Sequence, residues 1–497
     1  MSEAKNVQST GPFDSLRDYV AALEARGRLL RIKEMDQDKY AASAFAYRLI
    51  EKVGHDKAPA FMVERVKIGG EWLDGPVLCN PYAGWDIEAM IYGLDDIVED
   101  QEVMFPRVMD KLLSRMDSTG AWMKEAPRTV EASTAPCKEV IISGDDVDIL
   151  KYPWFQNLPA DAGRYINMTA VVIEHPEHGR NVGTYRCQVK GKNKISMNPS
   201  PGHDGRRMLL DMKAKGEKRA KVAIALGVDP IIWSVSTTRM ALFGEDELEI
   251  AGGVKGKPID IVKCETSDIM VPAQSEMIIE GEIPLDDFED EGPYGEMYGY
   301  LGSGTKNNFY INIKAITHRH QPWLQNSFTG TTFDMLRAPI IASYHNRYKK
   351  VIPNFVGVYT FREAAGFVVV SIDKKRPGEG MIAGQNVAAG PATKVVVIVD
   401  KDINIQNPYD IFHAMTARWQ PSASNIIPQT WITLPDPSLP HKNLGGKIII
   451  DATRQFPEEG GPASWPAYNR TLLEEGCPEA FDIVDAQWDD IWQSLDR

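Results

Sequence analysis

The stretch YINMTAVVIEHPEHGRNVGTYRCQVKGKNKISM, residues 165–197, decides the reading of the fold. Residues 165–174 are rich in β-branched side chains and predict a strand. HPEHGR (175–180) has turn composition, and 182–189 predicts the return strand. Gly191-Lys192-Asn193 turns the chain again. Further short strands are predicted at 221–226, 231–235, 259–264, 277–283 and 309–317, interrupted by one helix at 205–215. Many short strands at close spacing point to a barrel or sandwich.

Upstream the pattern is mixed α/β. Leu16, Tyr19, Val20 and Leu23 fall at i, i+3, i+4, i+7 behind Asp14 or Ser15 as a cap, and Gly27 ends that helix. A strand follows at 29–32, with helices at 41–52, 86–92 and 95–115 and a polar, proline-containing connection at 124–136. Downstream, a helix over 335–350 leads to strands at 355–359, 367–372 and 394–399. The last strand is followed by a loop and a helix at 408–419. Strand, loop, helix is the unit of a layered α/β domain. Residues 457–466 are rich in Pro and Gly, so the last thirty residues are expected to leave the body as an arm, and 1–11 to form a loose tail. The expected division is an N-terminal α/β segment at 12–125, a β-rich domain at 126–330, a linker helix at 331–350, a C-terminal α/β domain at 351–460 and an arm at 461–497.

A chain of 497 residues is too long for one core, because cores stop growing near about 250–300 residues. The net charge of −14 argues against nucleic-acid binding, which needs a basic surface. No apolar run approaches the roughly 18 residues of a membrane span, and the first residues carry no secretory pattern. The five cysteines are odd in number and far apart, with no CxxC pair. That predicts reduced thiols in the cytoplasm rather than a disulfide framework or a thiolate zinc site.

The phosphate-loop, zinc-protease and nucleophile-elbow motifs are absent, and the glycine string at 299–304 does not lead from a strand into a helix. EDEGPYGEMYGY (289–300) is more informative. Glu291 and Glu296 flank Gly292-Pro293-Tyr294-Gly295, a composition that bends the chain tightly and can bring two carboxylates together. Paired carboxylates in unlike surroundings can provide an acid and a base near neutral pH. Composition alone also allows an acidic surface loop, but three tyrosines are unusual in one. By strand alternation, Arg186 lies opposite Tyr185 and Cys187, where it could pair with a carboxylate or phosphate or simply be exposed. His203, after a proline-rich turn, and Glu249 each read as surface residues when taken singly.

Together these pieces resemble the UbiD-type decarboxylases, which use prenylated flavin mononucleotide (FMN). The family includes polyprenyl-hydroxybenzoate, ferulic/cinnamic and other aromatic-acid decarboxylases. The likeness runs in order through NVGTYR (181–186), the turn ending at His203, LEIAGGVKG (248–256), VKCETSDIMVPAQSEMIIEGEI (262–283) and EDEGPYGEMYGY. It continues through KVVVIVDKDIN (394–404), TARWQP (416–421) and LGGKIIIDAT (444–453), covering about 14–455. Gly183-Thr184-Tyr185 is closer to the aromatic-acid and polyprenyl branches than to the cinnamic branch.

The resemblance implies a multidomain α+β and α/β fold: an N-terminal α/β segment, a split β-barrel holding the flavin, a linker helix, and a C-terminal α/β domain that supports a homodimer or higher homo-oligomer. It implies Arg186, Glu291 and Glu296 as catalytic residues. Glu296 would be the acid/base, Arg186 would hold it near the flavin, and Glu291 would orient Arg186. Asn181, His203 and Glu249 would be the metal ligands, a mostly hard set suited to Mn²⁺ or Mg²⁺ with the flavin phosphate. Gly183, Thr184, Tyr185 and Gly202 would lie along the cofactor. A K⁺ site near Ser234 to Thr238 follows from the same likeness, and Met297, Phe328, Thr331 and Leu336 would face the substrate.

The expected activity is reversible, non-oxidative decarboxylation of an aromatic, heteroaromatic or α,β-unsaturated carboxylic acid, releasing CO2. A flavin prenyltransferase would supply the cofactor. The alternatives are a flavin-dependent reductase on a split barrel and a non-catalytic subunit of a larger carboxylase.

Overall fold

The computed structural model describes residues 10–332, 334–441 and 443–493. The expected tail at 1–11 lies outside the described residues except at its end, where Gly11 N–H donates to Met90 O at 2.7 Å. The first helix, Leu16–Ala25, is capped by Ser15, whose hydroxyl accepts the Asp18 N–H, and it buries Leu16, Tyr19, Val20 and Leu23 as their spacing predicts. Helices Ala41–Val53, Trp85–Ile91 and Gln101–Leu113 follow. The last begins later than the expected 95 because Asp100 caps it, accepting N–H groups of Glu102 and Val103. A four-stranded sheet runs in the order Leu29–Asp36, Ala60–Ile68, Glu71–Cys79, Leu324–Asn326. Its final strand comes from beyond the second sheet, so sequence neighbours alone do not complete this layer.

The second sheet has ten strands. Its main path is Tyr165–Ile166, Cys187–Gly191, Lys194–Met197, Thr305–His318, Met277–Pro284, Arg219–Leu226, Ala170–His175, Gly179–Gly183. Two expectations are corrected here. The strands expected at 165–174 and 182–189 are each interrupted, at 167–169 and 184–186. Each interruption carries the chain from one end of the sheet to the other. Four Cα steps reach at most about 14 Å, whereas six strand spacings in a flat sheet would be about 29 Å. The sheet must therefore roll until its ends approach. No pairing among the described residues closes the seam, so the sheet is open there and no closed barrel is formed among the described residues. The two crossings are tied together: Thr169 Oγ1 donates to Tyr185 O at 2.7 Å and accepts Tyr185 N–H at 3.2 Å.

A third correction concerns 231–235. This segment is part of the helix Pro230–Thr237, because Asp229 caps Ile231 and Ile232 and Pro230 occupies the first turn. Both faces of the rolled sheet are covered. Val222, Ile224 and Leu226 enter one core cluster, while Ala223 and Ala225 enter the other.

Helix Ala338–Val351 connects to a five-stranded sheet ordered Phe355–Thr360, Phe367–Ile372, Val395–Asp400, Leu444–Ala452, Asn425–Trp431. Its three inner strands are parallel, as their near-continuous apolar sequences require. From Arg454 to Trp492 no residue is buried, although the segment contains three short helices, Asn469–Gly476, Ala480–Asp485 and Trp488–Gln493. Among the described residues no helix is long and apolar enough to cross a membrane.

Candidate active site

Arg186 lies in the second crossing, not within a strand, and this frees its side chain to reach the loop after residue 288. Its Nε and Nη2 donate to Glu291 Oε1 and Oε2, each at 3.0 Å, in a bidentate fork. Its Nη1 donates to Glu296 Oε1 at 2.5 Å. Tyr165 OH donates to Glu291 Oε1 at 2.9 Å, and the guanidinium lies 5.0 Å from the centre of the Tyr294 ring. Burial opposes the arginine charge, but the two carboxylates outweigh it and hold its pKa above the ordinary value. The Glu291 side chain is 0% exposed and that of Glu296 23%. One carboxylate is therefore locked behind the arginine, while the other opens toward the site. Removing Arg186 would strand Glu291 as a buried unpaired charge, which costs about 3–5 kcal/mol.

The two glutamates reach one guanidinium through a short hairpin. Glu291 ends the strand Glu289–Glu291, which pairs with Thr305–His318. Gly292, at φ +82°, turns the chain into Tyr294–Gly295, which pairs with Leu301–Gly302. Glu296 follows directly, and its N–H donates to Tyr300 O while Gly299 N–H returns to Glu296 O, both at 2.9 Å. Asp161 holds the hairpin from below, its Oδ1 accepting Gly295 N–H at 2.9 Å. Gly302 explains part of the glycine string: a Cβ there would lie 2.5 Å from Glu296 Cγ and 2.7 Å from its Oε1. Gly302→Ala should push the carboxylate off Arg186 and lower kcat about a hundredfold with little change in melting temperature. Steady-state kinetics checks this, and an unchanged kcat would show that the position of Glu296 is unimportant.

A second cluster forms around Asn181, in the strand Gly179–Gly183 that precedes the crossing. Asn181 is buried, and its Nδ2 donates to Glu247 Oε1 at 2.8 Å, while Val182 N–H donates to Glu247 Oε2 at 2.8 Å. The carboxylate facing Asn181 is therefore Glu247 and not Glu249. Asp246 caps helix Glu247–Lys255 and fixes its phase. Two residues along a helix turn the side chain by about 200°, so Glu249 projects to another face, near enough to Lys124 for its charge to help raise that lysine's pKa. Burial pushes the Glu247 carboxyl up to about 8, against the pull of the Val182 and Asn181 hydrogen bonds. Tyr185 OH donates to Asn181 Oδ1 at 3.2 Å, and its ring lies 5.3 Å from that of His203.

His203 begins helix Asp204–Ala214, and its Nδ1 accepts Ser200 N–H at 3.0 Å. The surrounding protein and then the Arg239 charge lower its pKa. Gly183 and Gly205 leave room for Tyr185: a Cβ at either would lie 2.3 or 2.5 Å from its hydroxyl. Thr184 is bonded to Ser236, N–H to O at 3.0 Å and hydroxyl to hydroxyl at 3.1 Å. Gly202 O accepts Arg239 Nη2 at 2.9 Å. The segment from Ser234 to Thr238 is a helix end at which Ser234 O accepts from Thr237 and Thr238.

The remaining expectations divide. Phe328 and Thr331 are buried and line a small cavity with Ser43, Tyr47, Asn157 and Tyr294. Met297 is 44% exposed at the hairpin tip beside Glu296. Leu336 does not line the cavity. It is fully buried in the core shared with the connecting helix, because it precedes that helix on its inward side. Tyr165, Asp161 and Gly302 were not singled out in the sequence. The glycine string was the one visible signal, and its purpose depends on which side chain lies across from it.

Two family models match. One is the UbiD 3-octaprenyl-4-hydroxybenzoate carboxy-lyase Rift-related domain, over residues 128–332, and the other is the C-terminal domain of the same family, over 334–452. Both models describe carboxy-lyases, and this chain is one. The chain belongs to the UbiD family. A phenolic acid decarboxylase of Bacillus subtilis is 28% identical over 493 residues, spanning 95% of this chain and 99% of the relative. HmfF from Pelotomaculum thermopropionicum, a UbiD-class enzyme solved with FMN, is 27% identical with a TM-score of 0.77, covering 93% of this chain and 98% of its own. An evolved dimeric form of HmfF in complex with prFMN gives 0.73 at 27%, with the same coverage. The vanillic acid decarboxylase of Sedimentibacter hydroxybenzoicus gives 0.78 at 26% identity in both open and closed forms. The match covers 95% of this chain and 99% of that one in the open form, and 94% and 99% in the closed form.

Proposed function

We propose that this protein catalyses the reversible, non-oxidative decarboxylation of an aromatic, heteroaromatic or α,β-unsaturated carboxylic acid with prenylated FMN, and that Glu296 is the acid/base. The observation that carries this reading is the Glu291–Arg186–Glu296 array, with one carboxylate sealed and one open. When bound, the flavin supplies the electron sink that loss of CO2 from an sp² carbon requires. The chain supplies position and a proton. Glu291 and Tyr165 fix the Arg186 fork, Arg186 fixes Glu296 Oε1, and the Glu296 carboxyl delivers its proton to the carbon that has lost CO2. In the carboxylating direction Glu296 removes that proton.

The second cluster fits the flavin phosphate and a divalent cation. A buried acid that makes hydrogen bonds but no ion pair among the described residues, an amide oxygen and a helix start favour a hard cation and an anion together. Glu247 and Asn181 Oδ1 would hold Mn²⁺ or Mg²⁺, and His203 would join in exchange for its bond to Ser200. Glu249 has no part in this set. The carbonyls near the end of helix Pro230–Thr237 suit a monovalent cation such as K⁺. Apolar side chains on the exposed arm, among them Leu472, Ile483, Trp488 and Trp492, support self-association.

The test is to co-express the chain with a flavin prenyltransferase, purify it dark and without oxygen, and screen aromatic, heteroaromatic and acrylic acids for CO2 release. Turnover of at least one class is expected. Flavin-loaded protein that releases no CO2 but oxidises NAD(P)H would overturn the reading in favour of a reductase.

A further inference from the structure

The hairpin carrying Glu296 also touches the C-terminal domain. Tyr298, two residues beyond the glutamate, donates its hydroxyl to Ala365 O at 2.9 Å. Ala365 lies in the turn between strands Phe355–Thr360 and Phe367–Ile372, the first two strands of the five-stranded sheet. The turn is well anchored on its own side. Phe367 N–H donates to Ala364 O at 2.9 Å, and Lys394 and Val395 N–H groups both donate to Gly366 O, at 2.7 and 3.0 Å. At its other end, Arg362 Nη1 donates to Tyr82 O at 2.9 Å and Nη2 to Glu88 Oε1 at 3.1 Å, both in the N-terminal segment. Gly366, at φ +84°, has no Cβ to crowd the contact; one would lie 3.2 Å from Tyr298 OH.

On the opposite side the hairpin rests against Gly330, where a Cβ would lie 2.7 Å from both Glu296 O and Gly299 N. The five residues from Glu296 to Tyr300 are thus seated on Gly330 and tied across to Ala365. Met297, Gly299 and Tyr300 are exposed, so little else restrains the tip.

We propose that Tyr298 is a positioning residue. Its bond to Ala365 makes the seating of Glu296 against Arg186 depend on the C-terminal domain being docked over the site. The inference rests on Glu296 as the acid/base and adds the element that holds it. The vanillic acid decarboxylase that shares this fold is known in an open and a closed form. One neutral hydrogen bond shifts an equilibrium by about 2- to 12-fold. Tyr298→Phe should therefore lower kcat by about 3- to 10-fold and leave KM for the acid and the flavin content unchanged.

The experiment combines two readouts. Hydrogen exchange on the purified chain should quicken in peptides covering 294–302 after Tyr298→Phe and stay unchanged in the strands of the five-stranded sheet. Kinetics of Tyr298→Phe, Glu296→Asp and the double variant should be non-additive, the tyrosine change adding little once the shortened carboxylate no longer reaches Arg186. Unchanged exchange at 294–302, or effects that simply multiply, would overturn the role of Tyr298. Failure of the underlying reading looks different: Glu296→Asp would then turn over at the parental rate.

Discussion

Glu296→Gln is expected to fold, to retain flavin, and to lose turnover by about a hundredfold to ten-thousandfold. A positioned acid or base contributes roughly 10² to 10⁴ in rate, and the amide can neither give nor take the proton at the reacting carbon. The substitution keeps the shape of the side chain and an oxygen for Arg186 Nη1, so the arginine fork on Glu291 stays intact. The loss should therefore fall on kcat, with the flavin absorbance preserved. CO2 release from the flavin-loaded variant under anaerobic conditions is the measurement. Turnover near that of the parent would remove Glu296 from the acid/base role. It would then point to water or another group as the proton source, although the array itself would still be present.

Glu247→Ala should have the second large effect, and Glu249→Ala almost none. Glu247 is the buried carboxylate bonded to Asn181 and Val182, while Glu249 lies on another face of the same helix. Losing a directly bonded carboxylate should weaken divalent-cation affinity by about a hundredfold or more, since even groups that only support a ligand are worth 10- to 100-fold. Flavin retention should fall with it. Metal content after dialysis and flavin absorbance of the two variants decide the matter. If Glu249→Ala lost the metal while Glu247→Ala kept it, the assignment drawn from the helix phase would be wrong.

The difference between these glutamates shows where sequence reading stops. The motif around 248–256 located the helix that faces Asn181, but it did not show which of its carboxylates does so. That depends on where the cap falls, and Asp246 sets it by accepting the Leu248 N–H. The segment at 231–235 shows a similar limit. A short run of β-branched residues suits strand or helix, and the decision came from Asp229 and Pro230 just before it. The strands at 165–174 and 182–189 were legible as strands. Their interruptions were not, because they exist to cross a seam that only the rolled sheet creates.

What the sequence determined by itself is the order of the layers, α/β before β-rich before α/β, and the closeness of Glu291 and Glu296. Apolar periodicity is local, and the bend at Gly292-Pro293 between Glu291 and Glu296 is local too. Arg186 was found through the motif it shares with a family. Only the tertiary structure decided that Arg186 sits in a break between strands, that Glu247 rather than Glu249 meets Asn181, that Leu336 is core, and that Tyr298 reaches Ala365. Each of these depends on a partner distant in sequence, whose direction is set by helix phase or sheet closure, and neither quantity is carried by any short run of residues.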